Sequence, residues 1–192
     1  RDPEMSRGLG DVYKRQAILL LASSLGIRAS DICEMTLEAI NFVKNELCFI
    51  QKKTSVPLTL PLLPDVKEAL LGYLGCRKIN STDEPIFIQC RAPYHKLTRM
   101  GIWTIMRRYL KQSGVDPGHR KRGTHALRSS LASSMVREQV PYYAVQKILG
   151  HESPQSTKNY VRIDIGRLRE FTLPVPEAYG RFDAFLKGGE TR

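Results

Sequence analysis

With 192 residues, 42% of them hydrophobic and 26% charged, the chain has globular composition and enough length for one well-cored domain with at most a short appendage. No apolar run reaches the ~18 residues of a membrane span, no charged-apolar-small leader opens the chain, and the widely spaced Cys33, Cys48, Cys76 and Cys90 form no Cys-x-x-Cys pair, so the sequence predicts a soluble, intracellular protein without a zinc site or disulfide framework. The formal net charge of +11 and a pI near 9.7 point to a polyanionic partner, most simply nucleic acid.

Residues 1–16 show no sustained apolar period and look like a translated adapter or assembly junction, which sets them outside the fold; a genomic reading frame carrying the same residues would sink that idea. Residues 17–25, Ala-Ile-Leu-Leu-Leu-Ala-Ser-Ser-Leu, read as a buried helix ended by Gly26, with Ser30 opening the next. From Ile40 to Leu60 short β-rich pieces alternate with polar breaks, predicting a small antiparallel meander with Lys53-Thr54 in the turn before its last strand. Pro64 to Arg77 has helical periodicity with Val66, Ala69, Leu70 and Tyr73 inward, and Pro85-Ile-Phe-Ile-Gln reads as a short strand. A further helix is predicted over Thr98 to Gln112, with Trp103, Ile105, Met106, Tyr109 and Leu110 mostly in the core and Arg99, Arg107, Arg108 and Lys111 mostly outside. Asp116 to Gly123 is a basic Pro/Gly loop, and Glu177 to Leu186 can form a last helix with Tyr179, Phe182, Phe185 and Leu186 on one side.

The chemistry concentrates between residues 124 and 160. A helix beginning near Thr124 puts His125 and Arg128 on one face. An apolar-periodic stretch from Pro141 to Leu149 follows, with Gly150 at the C′ position and His151 just past it. Ser153 as N-cap and Pro154 as first helical residue then start a helix that carries Tyr160. From Arg91 to Arg128 there are ten Lys or Arg against one acid, Asp116. That segment is the expected phosphate-contacting surface, with Arg99, Arg107, Arg108, Lys111, Arg120, Lys121 and Arg122 as candidate DNA contacts.

His-x-x-Arg, then Leu-Gly-His, then a tyrosine nine residues on resembles the tyrosine recombinase, or phage integrase, family in order and spacing. Gly-Ile-Arg-Ala-Ser-Asp is similar to the family's first-arginine motif, which marks Arg28 and Asp31; read alone, the two are simply a surface ion pair. The Lys-Thr pair ahead of Pro61 is similar to the family's β-hairpin lysine and favours Lys53, with Lys52 as the competing choice; read alone, both are ordinary edge-protecting charges. Where the family commonly has His-x-Leu-Arg-His-Thr, this chain has Ser129 and Ser130 after Arg128.

The resemblance covers roughly residues 17–165 and implies an α+β, mostly helical catalytic domain with a small antiparallel sheet, residues 166–192 forming a tail. It implies a site-specific DNA recombinase with Arg28, Lys53, His125, Arg128, His151 and Tyr160 as catalytic residues and Asp31 in support. No metal or other cofactor is implied. The expected partner is double-stranded DNA, bound by a homotetramer on two sites with accessory DNA-bending or directionality proteins. The expected setting is the bacterial cytoplasm and nucleoid, with a bacterial or phage gene. Alternative readings are a type IB topoisomerase, a truncated non-catalytic DNA-binding remnant, and a basic structural protein.

Overall fold

A computed structural model of the chain describes residues 3–77, 84–90, 92–114, 118 and 123–150, with side chains from residue 8 onward. Helix α1 (Pro3–Ser23) buries Ala17, Ile18, Leu21 and Ala22, a stripe at helical spacing. Gly26 then turns the chain in the left-handed region at φ +64°, and the Ile27 amide returns to the Leu21 carbonyl at 3.1 Å. The helix also runs back through the segment that the sequence set outside the fold. Gly10 and Lys14 are buried, and Gly72 of the following long helix lets the Tyr13 ring approach within the space a Cβ would need. A helix nucleated by an apolar run extends at little cost per residue, which is why 3–16 share its form.

Helix α2 (Ala29–Glu34) starts one residue earlier than Ser30, because the Arg28 carbonyl accepts from the amides of Asp31 and Ile32 at 2.9 and 3.0 Å. Strands β1 (Ile40–Asn41), β2 (Glu46–Ile50) and β3 (Pro57–Pro61) form the expected antiparallel meander in the order β1-β2-β3, with Leu47 opposite Leu60. In β3, Leu58 and Leu60 point inward while Pro57, Thr59 and Pro61 stay exposed. Prolines are tolerated there because β3 is an edge. Helix α3 (Pro64–Cys76) buries Val66, Ala69, Leu70 and Tyr73 as its period predicts, and packs along α1.

The strand expected at 85–89 is not formed. Ile86 and Phe87 are both fully buried instead of alternating, Phe87 stacking on Tyr73 with ring centroids 5.6 Å apart. Their backbone bonds go to loops, from the Ile86 amide to Met35 and to Phe87 from the amide of Leu97, leaving only the bridge Ile88 to Lys96. In helix α4 (Arg99–Gln112), capped by Thr98 Oγ1 accepting from the Gly101 amide at 3.1 Å, the core residues are Ile102 and Met106. Trp103 faces out at 38% exposure, and Ile105, Tyr109 and Leu110 are half-buried, so the inward face is narrower than expected.

Helix α5 (Thr124–Arg137) packs on α1, α4 and α6 (Tyr142–Leu149). Ala132, Val136, Val145 and Leu149 make a small apolar cluster between α5 and α6, separate from the main core shared by α1, α2, the sheet, α3 and α4. Among the described residues no helix is long and apolar enough to cross a membrane.

Candidate active site

Arg128 lies one turn after His125 on α5, but the two side chains differ in setting: His125 is exposed at the start of the helix, and Arg128 is only 3% exposed. A buried guanidinium needs partners for its charge and its N–H groups. Arg128 Nη1 donates to the Gly26 carbonyl at 2.7 Å, and Nη2 donates to the Leu149 carbonyl. The Leu149 carbonyl is the last of α6, where carbonyls lack intrahelical donors and carry the negative end of the helix dipole, and the Gly26 carbonyl lies in the turn three residues after α1. One side chain thus caps α6 and ties its end to the turn that follows α1.

The Leu149 carbonyl has a second donor, Gln51 Nε2 at 3.2 Å, from the residue that follows β2. Gln51 is 1% exposed, and its Oε1 accepts from Thr54 Oγ1 at 2.8 Å within the β2–β3 turn. It lies so close to Gly150 that a Cβ there would stand 2.5 Å from Nε2, and Gly150 itself has φ +59°. The glycine of Leu-Gly-His therefore serves both a left-handed helix end and this close approach.

On the other side of the turn, Asp31 is 4% exposed, and its Oδ1 accepts from the Lys52 amide at 3.0 Å and from Ser30 Oγ at 3.3 Å. No ion pair joins Asp31 to Arg28, so the surface-pair reading of these residues does not hold. Asp31 Oδ2 and Arg28 Nη1 are buried without hydrogen-bond partners. The two lysines of the turn separate clearly. Lys52 Nζ binds Glu34 Oε1 at 2.5 Å, while Lys96 holds Glu34 Oε2 at 2.8 Å. Those two donated bonds hold the Glu34 carboxyl below its ordinary pKa. Lys53 is exposed, with its ammonium uncommitted among the described residues.

Four segments distant in sequence are thereby joined in a ring. Asp31 bonds to Lys52, neighbouring Gln51 to Leu149, Leu149 to Arg128, and Arg128 to Gly26, two residues before Arg28. The ring gathers Arg28, Asp31, the Lys53 turn, Arg128 and the end of α6 at one place. His151 directly follows Gly150; it and Tyr160 lie outside the described residues, as do Arg120, Lys121 and Arg122.

The sequence matches the family model described as the phage integrase family over residues 8–167. The chain belongs to the phage integrase family of tyrosine recombinases. It is 34% identical over 160 residues to the Sinorhizobium fredii protein named "Putative integrase/recombinase y4gC", covering 83% of this chain and 82% of that protein. With tyrosine recombinase XerA of Pyrococcus furiosus it shares 30% identity over 166 residues, 83% of this chain and 54% of the relative. Its fold is similar to the crystal structure of XerA recombinase, with a TM-score of 0.67 at 19% identity, covering 92% of this chain and 62% of the other. It is also similar to XerH site-specific recombinase in a post-cleavage complex with palindromic difH substrate, with a TM-score of 0.65 at 20% identity, covering 82% and 44% of the two chains. The chain thus spans most of the first relative and about half of the second.

In this family member the basic residues Arg99, Arg107, Arg108 and Lys111 are all exposed on α4, as expected. Sequence reasoning missed two residues here. Trp103 is an outward platform: the Arg107 guanidinium lies 5.3 Å from its ring centroid, and a Cβ at Gly123, just before α5, would stand 3.6 Å from its Cδ1. Gln51 was the other, and the one available signal was a polar residue ending an otherwise apolar strand beside Lys-Lys-Thr.

Proposed function

We propose that this chain is the catalytic part of a site-specific DNA recombinase that cuts and rejoins strands through a 3′-phosphotyrosyl link, serving integration or excision of a mobile element. The observation that carries the reading is the hydrogen-bonded ring, which brings both arginines, Asp31 and the Lys53 turn beside the glycine that precedes His151. Phosphoryl transfer gathers negative charge on the non-bridging oxygens, and fixed guanidiniums suit that charge. Arg28 brings a buried Nη1 donor that no protein group takes, next to the corner that Arg128 grips.

In the reaction the Tyr160 oxygen attacks phosphorus and its phenolic proton passes to an imidazole, His125 or His151. As the Tyr–O–P bond forms, the P–O5′ bond breaks, and O5′ takes a proton from the Lys53 ammonium. Exposed Lys53 suits that role better than Lys52, whose ammonium is occupied by Glu34. Asp31 orients the turn through the Lys52 amide. Charge on phosphorus is met by arginine, so the reading needs no metal. The exposed α4 face would run along the DNA backbone, and XerH, a structural neighbour, was solved on its DNA substrate. Four protomers on two DNA sites, with accessory proteins, complete the proposal.

The test is a denaturing gel of the chain with end-labelled, nicked DNA from the ends of its own genetic element. A protease-sensitive adduct that disappears in Tyr160→Phe is the expected result. If neither this chain nor one extended upstream forms an adduct yet both shift the DNA on a native gel, the chain is a DNA-binding remnant and the catalytic reading fails.

A further inference from the structure

We infer that Gln51 is a positioning residue for Lys53, setting the proton donor of the turn against the helix end that precedes His151. The inference rests on the recombinase reading above.

Gln51 is a neutral amide held at 1% exposure with both ends of its side chain occupied. Its Nε2 reaches the Leu149 carbonyl at 3.2 Å, and its Oε1 takes the Thr54 hydroxyl at 2.8 Å, so one amide spans from α6 into the turn on either side of Lys53. Its backbone closes the same turn, the carbonyl accepting from Ser55 at 2.8 Å and the amide donating to Val56 at 3.0 Å. Gly150 is seated directly on the amide. Lys53 is exposed and has no bond of its own among the described residues, so its place depends on the turn that carries it. On one side that turn is held by Asp31 and Glu34 through Lys52, and on the other by Gln51. A buried amide so held resists rotation, because turning it would break both bonds and leave the polar atoms unpaired.

The test separates positioning of the proton donor from general loss of structure by changing the leaving group. A 5′-bridging sulfur departs as a thiolate, since a thiol (pKa ~8.5) needs no added proton where an alkoxide does. Cleavage rates are measured on nicked DNA from the element ends with oxygen or sulfur at the scissile 5′ position. We expect Gln51→Ala to slow cleavage of the oxygen DNA on the order of 100-fold and to approach the wild-type rate on the sulfur DNA, as Lys53→Ala should. Arg28→Ala should stay slow on both. A Gln51→Ala chain that is slow on both DNAs, or undisturbed on the oxygen DNA, overturns the proposal. If Gln51→Ala does not fold, Thr54→Val, which removes only the hydroxyl that the amide accepts, carries the test with the same two outcomes. If neither the wild-type chain nor one extended upstream forms an adduct on either DNA, the recombinase reading itself fails, and this proposal with it, a pattern that no Gln51 result can produce.

Discussion

The main core and the small α5–α6 cluster are built differently at their edges. The main core is closed by apolar side chains from α1, α2, α3, α4 and the sheet, and Tyr73 stacks on Phe87 within it. The α5–α6 cluster has few buried residues, Ala132, Val136, Val145 and Leu149, and meets the rest through Leu127 and Ile148, which pack on the main core, and through a polar seam of Arg128 and Gln51 backed by Asp31. Of the predicted catalytic and supporting residues, Arg28, Asp31, Lys53 and Arg128 lie at or beside that seam, whereas the candidate DNA contacts Arg99, Arg107, Arg108 and Lys111 lie on the exposed face of α4. An apolar interface would be indifferent to small slides, whereas charge-assisted bonds to two particular carbonyls define one arrangement. Placing reacting groups there gives them a position as definite as those bonds.

Arg128→Ala offers the sharpest break of this contrast. It would strand the Gly26 carbonyl, leave the Leu149 carbonyl to Gln51 alone and remove two charge-assisted bonds, so we expect a loss of about 3–5 kcal/mol in urea unfolding. Arg128→Lys should recover little, because one ammonium cannot reproduce the fork that spans both carbonyls. An unfolding midpoint unmoved by Arg128→Ala would show that the seam does not hold the two clusters together.

Glycines sharpen the comparison next. Gly150→Ala puts a Cβ on Gln51 and a side chain at φ +59°, which should cost about 2–3 kcal/mol. Gly75→Ala, in α3 with nothing within 4 Å of its Cβ, should stabilise by about 0.5–1 kcal/mol through helix propensity. Thermal unfolding of the pair decides it: equal signs would mean that the seam and the scaffold respond alike.

Much of the scaffold was legible because its signals are local. Val66, Ala69, Leu70 and Tyr73 recur at helical spacing, and Leu58 and Leu60 alternate as a half-buried edge strand should. Trp103 misled for the same reason: on a narrow inward face, aromatic character alone does not say which side a residue takes. Arg28, Asp31, Lys53, His125 and Arg128 could be named only from the spacing shared with a family. The groups that join them could not be named at all. Main-chain carbonyls of Gly26 and Leu149 carry no sequence signature, and Gln51 meets Leu149 across 98 positions. Glu34 likewise finds Lys52 and Lys96 at separations of 18 and 62 residues, where no helical or strand period connects them.

Glu34 gives the smallest effect and a test of how the turn is held from its exposed side. Its side chain is 35% exposed, so screening keeps the Lys52 and Lys96 pairs to about a few tenths of a kcal/mol. Because those lysines lower the folded-state pKa below the ordinary 4.5, the stabilisation is fully present above that value and is lost as pH falls through the lowered one. The stability difference between wild type and Glu34→Gln should therefore be constant from about pH 7 to about pH 5 and shrink toward zero at lower pH. It should also shrink when ionic strength rises from about 0.05 to 0.5 M, as the Debye length falls. A difference that survives both acid and salt would assign the effect to packing of the Glu34 stem, leaving Asp31 and Gln51 as the two anchors that place the Lys53 turn.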